Sequence, residues 1–215
     1  VITLFVNAIN NSFVPTLYES LKSKKCENIK KVAAFLAIFM AGLICVFMLF
    51  GPEILTVFVA PEYIKAKWIF PPVAASIFFT FIYLFYVNVE FYFEKTNYVM
   101  FVSVLGAVVN IILNLVFIKK YGFIAAGYTT VFSYIVFCFA HYLLYKYIAK
   151  KEKTGNVYND GIFMILGIAV LAFMLICILL YKFNIVRYIL IALIAVFAVI
   201  FRKKLIYAFK KALNK

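Results

Sequence analysis

Seven long apolar runs, separated by short links that hold nearly all of the cations, constrain this chain more than any other feature. Five of them, residues 32–52, 68–89, 96–118, 121–145 and 161–181, contain no Asp, Glu, Lys or Arg. A helix needs roughly 20 mostly apolar residues to cross a bilayer, and each of these runs is of that order. The opening run, 1–18, reads as a sixth span. The last, 183–201, carries Arg187 near its start, where a long side chain can snorkel to the interface, and reads as a seventh. The expected fold is therefore all-α: a polytopic transmembrane helical bundle over residues 1–201, followed by a tail at 202–215. Composition agrees. The chain is 67% apolar and 14% charged, whereas soluble domains are about half apolar and a quarter charged.

The net charge of +14 raises the question of nucleic acid. Its placement answers against that partner, because all of the 22 Lys and Arg except Arg187 sit outside the runs, as cations do in loops facing water and anionic headgroups. With seven spans, alternate links place 16 cations on one side and six on the other. The richer side is expected in the cytoplasm, so the chain starts outside and ends inside. Losing one span would destroy this asymmetry.

Two segments outside the spans have their own character. Residues 51–67 read GPEILTVFVAPEYIKAK, too interrupted to span; 54–59 are expected to form a short helix at the outer interface. The tail sets Leu205, Ile206, Phe209 and Leu213 at helical spacing among Lys residues, which predicts an amphipathic helix on the inner leaflet. Val1 opens inside an apolar run with no initiator Met and no basic segment before it. A piece cut from a longer protein, within or just before a transmembrane helix, is the expectation, and a signal peptide is not.

Polar residues inside spans are costly and call for a reason. Asn7, Asn10, Asn11 and Pro15 share a face of the first span. Ser103, Gly106, Ala107, Asn110 and Asn114 form one small, polar stripe in the fourth. Such stripes let helices approach closely and hydrogen-bond across the contact. The functional alternative is that Asn7, Asn10, Asn11, Asn110 and Asn114 line a polar cavity. Ala33, Ala37 and Ala41 repeat every four residues and are expected to pack. Glu90 and Glu94, spaced i and i+4 beside Asn88, either bind a proton or cation or face water next to Lys95. His141, the single histidine, is expected at the interface without chemistry.

Enzymatic chemistry is disfavoured. The chain has one Asp, Asp160, and seven scattered Glu, with no clustered acids for a metal and no Ser–His–Asp spacing. No cofactor is expected. Cys26, Cys45, Cys138 and Cys177 form no C-x-x-C pair, which argues against a zinc site and disulfides and for packing roles.

Three passages carry a resemblance: the N-x-x-N-N-x-x-x-P of Asn7, Asn10, Asn11 and Pro15 followed by a basic link; FGPEILTVFVAPEYIKAKWIFPPVAA from Phe50; and the N-x-x-x-N of Asn110 and Asn114 followed by KKYG and GFIAAGYTT. Together they resemble the C-terminal half of bacterial polysaccharide or oligosaccharide flippases, within the multidrug/oligosaccharidyl-lipid/polysaccharide exporter superfamily. The usual G-x-x-G-A-A of that region departs here, with Gly122 kept but Ala125 and Ala126 as the next small residues. The resemblance implies one lobe of a two-lobe, pseudo-symmetric transporter with a missing N-terminal lobe, in the bacterial plasma membrane with its C-terminus cytoplasmic. It implies flipping of an undecaprenyl-pyrophosphate-linked oligosaccharide, a repeat unit of the O-antigen of lipopolysaccharide, of capsule or of teichoic-type polymers. The pyrophosphate would need cations from the missing lobe or the rim, since no Lys or Arg lies mid-span in the five uncharged runs. Two alternatives stay open: a drug or toxin cation antiporter of the same superfamily, and a membrane protein of polysaccharide assembly that does not transport.

Overall fold

The computed structural model describes the backbone of residues 2–213, and side chains through residue 202 apart from Phe197, Ala198 and Phe201. Nine helices account for almost all of the described residues: α1 Ile2–Lys22, α2 Glu27–Leu49, α3 Gly51–Phe58, a 3-10 helix Pro61–Trp68, α4 Phe70–Tyr92, α5 Thr96–Tyr121, α6 Ala125–Lys151, α7 Asp160–Leu180 and α8 Asn184–Leu213. An all-helical answer is what apolar surroundings demand, because a helix satisfies its own backbone hydrogen bonds.

Five helices, α2, α4, α5, α6 and α7, are long and apolar enough to cross a membrane. They coincide with the five uncharged runs. The two further expected spans also form helices, but α1 breaks its apolar face with Asn7, Asn10, Asn11, Ser12 and Thr16, and the apolar stretch of α8 among described residues is the shorter 184–196. The backbone of α8 continues without a break through Leu213, so the expected tail helix is the end of α8 rather than a separate element; the tail's apolar face, Leu205, Ile206, Phe209 and Leu213, lies outside the described side chains. The expected interfacial helix begins three residues early, at Gly51, since Pro52 fits a helix's first turn, where its missing N–H would have no partner anyway.

The core is built around α4. Its Ala74, Ala75, Phe78, Phe81, Phe85, Tyr86 and Val89 are buried, and it packs on α1, α2, α5, α6 and α7. Small residues set the spacing around it. Ala33, Ala37 and Ala41 of α2 are buried, and a Cβ on Gly127 of α6 would lie 2.6 Å from Ile69 Cγ2 and 3.1 Å from Pro72 Cγ. The outward faces are apolar. On α5 only Val99 is buried, while Phe101, Val104, Leu105, Ile111, Ile112 and Leu115 are exposed. A continuous apolar exterior of this extent belongs against lipid or another protein surface rather than water, and the protein is membrane-embedded.

The links fall into two groups. At one end Lys95 lies 3.8 Å from Glu152, Tyr158 Oη donates to the Phe85 carbonyl at 2.8 Å, and the Tyr18 and Tyr92 rings meet edge to face. At the other, Glu53 meets Arg187, and Gly127 meets Ile69 and Pro72. Helices α2 and α4 to α7 thus alternate in direction.

Candidate functional site

The polar residues within the bundle are gathered into three seams between helices. The longest joins α5 to α6. Asn110 and Asn114, one turn apart, face Thr129 and Ser133, also one turn apart, because residues at i and i+4 share a helix face. Asn110 Nδ2 donates to Ser133 Oγ at 3.2 Å, Asn114 Nδ2 to Asn110 Oδ1 at 2.9 Å, and Thr129 Oγ1 to Asn114 Oδ1 at 2.5 Å. Ser133 Oγ in turn donates to the Thr129 carbonyl at 2.7 Å.

Beside this ladder the two helices leave a groove of about 380 Å³. Ser103, Gly106, Ala107 and Asn110 form one wall, and Thr130, Ser133, Tyr134 and Phe137 the other. Gly106 permits the approach, since a Cβ there would lie 2.6 Å from Phe137 Cδ2. Amide and hydroxyl groups with two aromatic rings suit a ligand that presents both hydroxyls and apolar ring faces.

The second seam joins α1 to α4 through Asn88 Nδ2, which donates to Asn10 Oδ1 at 2.7 Å. Asn7 and Asn11 are exposed on α1, and Pro15 removes the N–H that would bond the Asn11 carbonyl. The five asparagines expected around one cavity are therefore divided. Asn110 lines the groove, Asn114 braces it, and none of the α1 asparagines reaches it.

The third seam joins α4 to α6, and the two expected carboxylates part here. Glu94 closes α4 with a left-handed φ of 57° and faces outward, because it occupies the turn rather than the helix. Glu90 stays on α4 and is fully buried against His141, with Nδ1 2.8 Å from Oε2 and 3.1 Å from Oε1. His141 thus lies inside the bundle rather than on its surface: both side chains are 0% exposed. Across the α4–α6 contact each polar group supplies the other's partner. The sequence offered no direct signal for this pair, since 51 residues separate them.

Arg187 departs from expectation in the same way. It does not snorkel; its side chain is 1% exposed and lies 2.5 Å from Glu53 Oε1. Arg187 NH1 donates to the Leu49 carbonyl at 3.4 Å, and Tyr181 Oη donates to the Met48 carbonyl. The C-terminal carbonyls of α2, its negative dipole end, thus join Glu53 in holding the cation. At the opposite end Lys146 bonds Asp160 and Asn156, each at 2.7 Å. Tyr158 in the α6–α7 link is buried, which holds its hydroxyl well above the usual range.

No family model, characterised protein or solved structure matches the chain.

Proposed function

We propose that this chain is the C-terminal lobe of a transporter that flips lipid-linked oligosaccharide across a bacterial plasma membrane, for cell-surface polysaccharide synthesis. The observation that carries the reading is the α5–α6 groove, a recess lined by amide, hydroxyl and aromatic side chains. Sugars are recognised by hydroxyl and amide partners with apolar ring contacts, and the groove offers Asn110, Ser133, Tyr134 and Phe137 for both. The cargo's undecaprenyl chain would remain among the exposed apolar faces, and its pyrophosphate would be met by cations outside this groove.

In this reading α1 and α8 also cross, giving seven spans. The end holding the 152–159 link, with Lys146, Lys150, Lys151 and Lys153 at its border, is cytoplasmic by the excess of cations, and the C-terminus lies there. A second lobe completes the cavity, because alternating access rocks one repeat against another around a site between them.

Complementation tests this. In a strain lacking its own flippase, the full-length gene, encoding this lobe together with its second lobe, restores surface polysaccharide, and N110L, which keeps the side chain's shape but removes its hydrogen-bonding groups from the groove, abolishes restoration at equal membrane expression. Failure of the unmodified gene to restore polysaccharide with any of a panel of repeat units, despite membrane expression, contradicts the proposal.

A further inference from the structure

The Glu90–His141 pair lies next to the groove without being part of it. Phe137 is common to both. It lines the groove, and its ring meets the His141 ring edge to face at a centroid distance of 4.6 Å. Tyr83 of α4 packs on both rings, stacked on His141 at 5.6 Å and edge to face with Phe137 at 4.6 Å. Behind these rings the imidazole and the carboxylate are both fully buried. One bond to the carboxylate is the imidazole's whole hydrogen-bonding complement, and Nε2 has no partner among the described residues.

Proton counting defines the state of such a pair. Buried charge without a counter-charge is costly, so the pair is stable when it is neutral overall, with one proton beyond that on Nε2 shared between carboxylate and Nδ1. Adding or removing a proton leaves a net charge in an apolar bundle. Among the described residues, no neighbouring element relieves that charge. Lys95, after α4, is paired with Glu152, and Lys146 of α6 is paired with Asp160 of α7. Glu94 faces outward, α1 contributes the uncharged Asn10–Asn88 bond, Tyr98 is exposed at the start of α5, and α2 begins with an exposed Glu27. Tyr83 is the titratable group whose ring lies directly on the imidazole.

We propose that Glu90 and His141 form an occluded proton-binding site, and that Phe137 is the seal between it and the groove. A ligand in the groove touches the same ring that closes off the imidazole, so displacing that ring exposes the pair to water and lets its proton exchange. The proposal holds whatever the cargo is, and its test involves no transport.

His141 is the single histidine of the 215 residues, so ring-15N-histidine labelling of the protein in lipid nanodiscs reports on this residue alone. The expected result is a strongly deshielded Nδ1 proton and imidazole signals that do not change from about pH 5 to about pH 8, the range in which an accessible histidine titrates. F137A opens the seal and produces one transition in that window. F137L, which keeps most of the volume, and F139A, two residues along on an exposed face, behave as wild type. In E90Q the deshielded proton is lost and the ring stays neutral. A wild-type imidazole that titrates freely overturns occlusion even if no variant folds. An F137A protein with an intact spectral fingerprint and no transition overturns the role of Phe137, and an imidazolium in E90Q overturns the shared proton.

Discussion

At the level of single residues, three turns carry a cost that the sequence disguises. Lys24, Glu94 and Lys153 each close a helix with φ between 54° and 57°. The backbone bonds Lys25 N to Ser20 O, Lys95 N to Glu90 O and Thr154 N to Ala149 O mark the same six-residue closure at each. Glycine adopts that conformation without a Cβ penalty, so K24G, E94G and K153G should each stabilise the protein by about 1 kcal/mol, measured by reversible unfolding in mixed micelles. Loss of stability in all three would mean these side chains make contacts that outweigh the backbone term. The α5–α6 ladder predicts the opposite sign. Interhelical hydrogen bonds in membrane proteins contribute about 0.6 kcal/mol on average, so a double-mutant cycle of N114A with T129A should show coupling of that size, and none between N114A and an outward-facing α5 residue such as I112A.

Among the elements, α3 and α8 are joined by one ion pair whose two partners are unequally buried. Arg187 is 1% exposed and Glu53 is 34% exposed. Removing the acid leaves a buried cation uncompensated, whereas removing the arginine leaves a partly exposed residue whose carboxylate still accepts from Tyr188 Oη at 2.7 Å. E53A should therefore destabilise by about 3 kcal/mol and R187A by clearly less, as read by thermal unfolding; the reverse order would contradict the burial argument. Packing of α6 on the start of α4 depends on Gly127. Overpacking costs about 1–3 kcal/mol, so G127V should fall in that range, while a change at Gly42, which has nothing within 4 Å of its Cβ position, should not. In the α6–α7 link, the neutral Tyr158 phenol is favoured by the fold. Its contribution is complete below about pH 10, the ordinary tyrosine value, and is lost as pH rises further, a decline that Y158F should lack.

Across the whole molecule, what could be read from sequence followed from hydrophobic length. The five uncharged runs were legible because the cost of a charge in lipid empties a span of ionisable groups, and each became a helix of 21 to 27 residues. Their ends were less legible. Helix α6 runs to Lys151, about 40 Å in all, because lysines continue a helix as readily as they flank one. The seams were partly visible: the Asn110–Asn114 spacing announced a polar face, but its partners Thr129 and Ser133 depend on how α5 crosses α6. The Glu90–His141 and Glu53–Arg187 pairs were hidden, since 51 and 134 residues separate their members and sequence spacing reports faces of one helix only. These pairs also explain how ionisable groups survive inside the bundle: each has a partner on another helix. Contact between the α5–α6 groove and the sugar portion of a lipid-linked oligosaccharide, as proposed above, is read by photocrosslinking. With benzoylphenylalanine in place of Tyr134, inside the groove, or of Phe132, on an exposed face of α6, membranes making the lipid-linked oligosaccharide are irradiated and the adducts are analysed by mass. An oligosaccharide-bearing adduct is expected at position 134 and lipid-only adducts at 132; sugar-free adducts at 134, or equal sugar labelling at both positions, would rule out sugar binding in the groove.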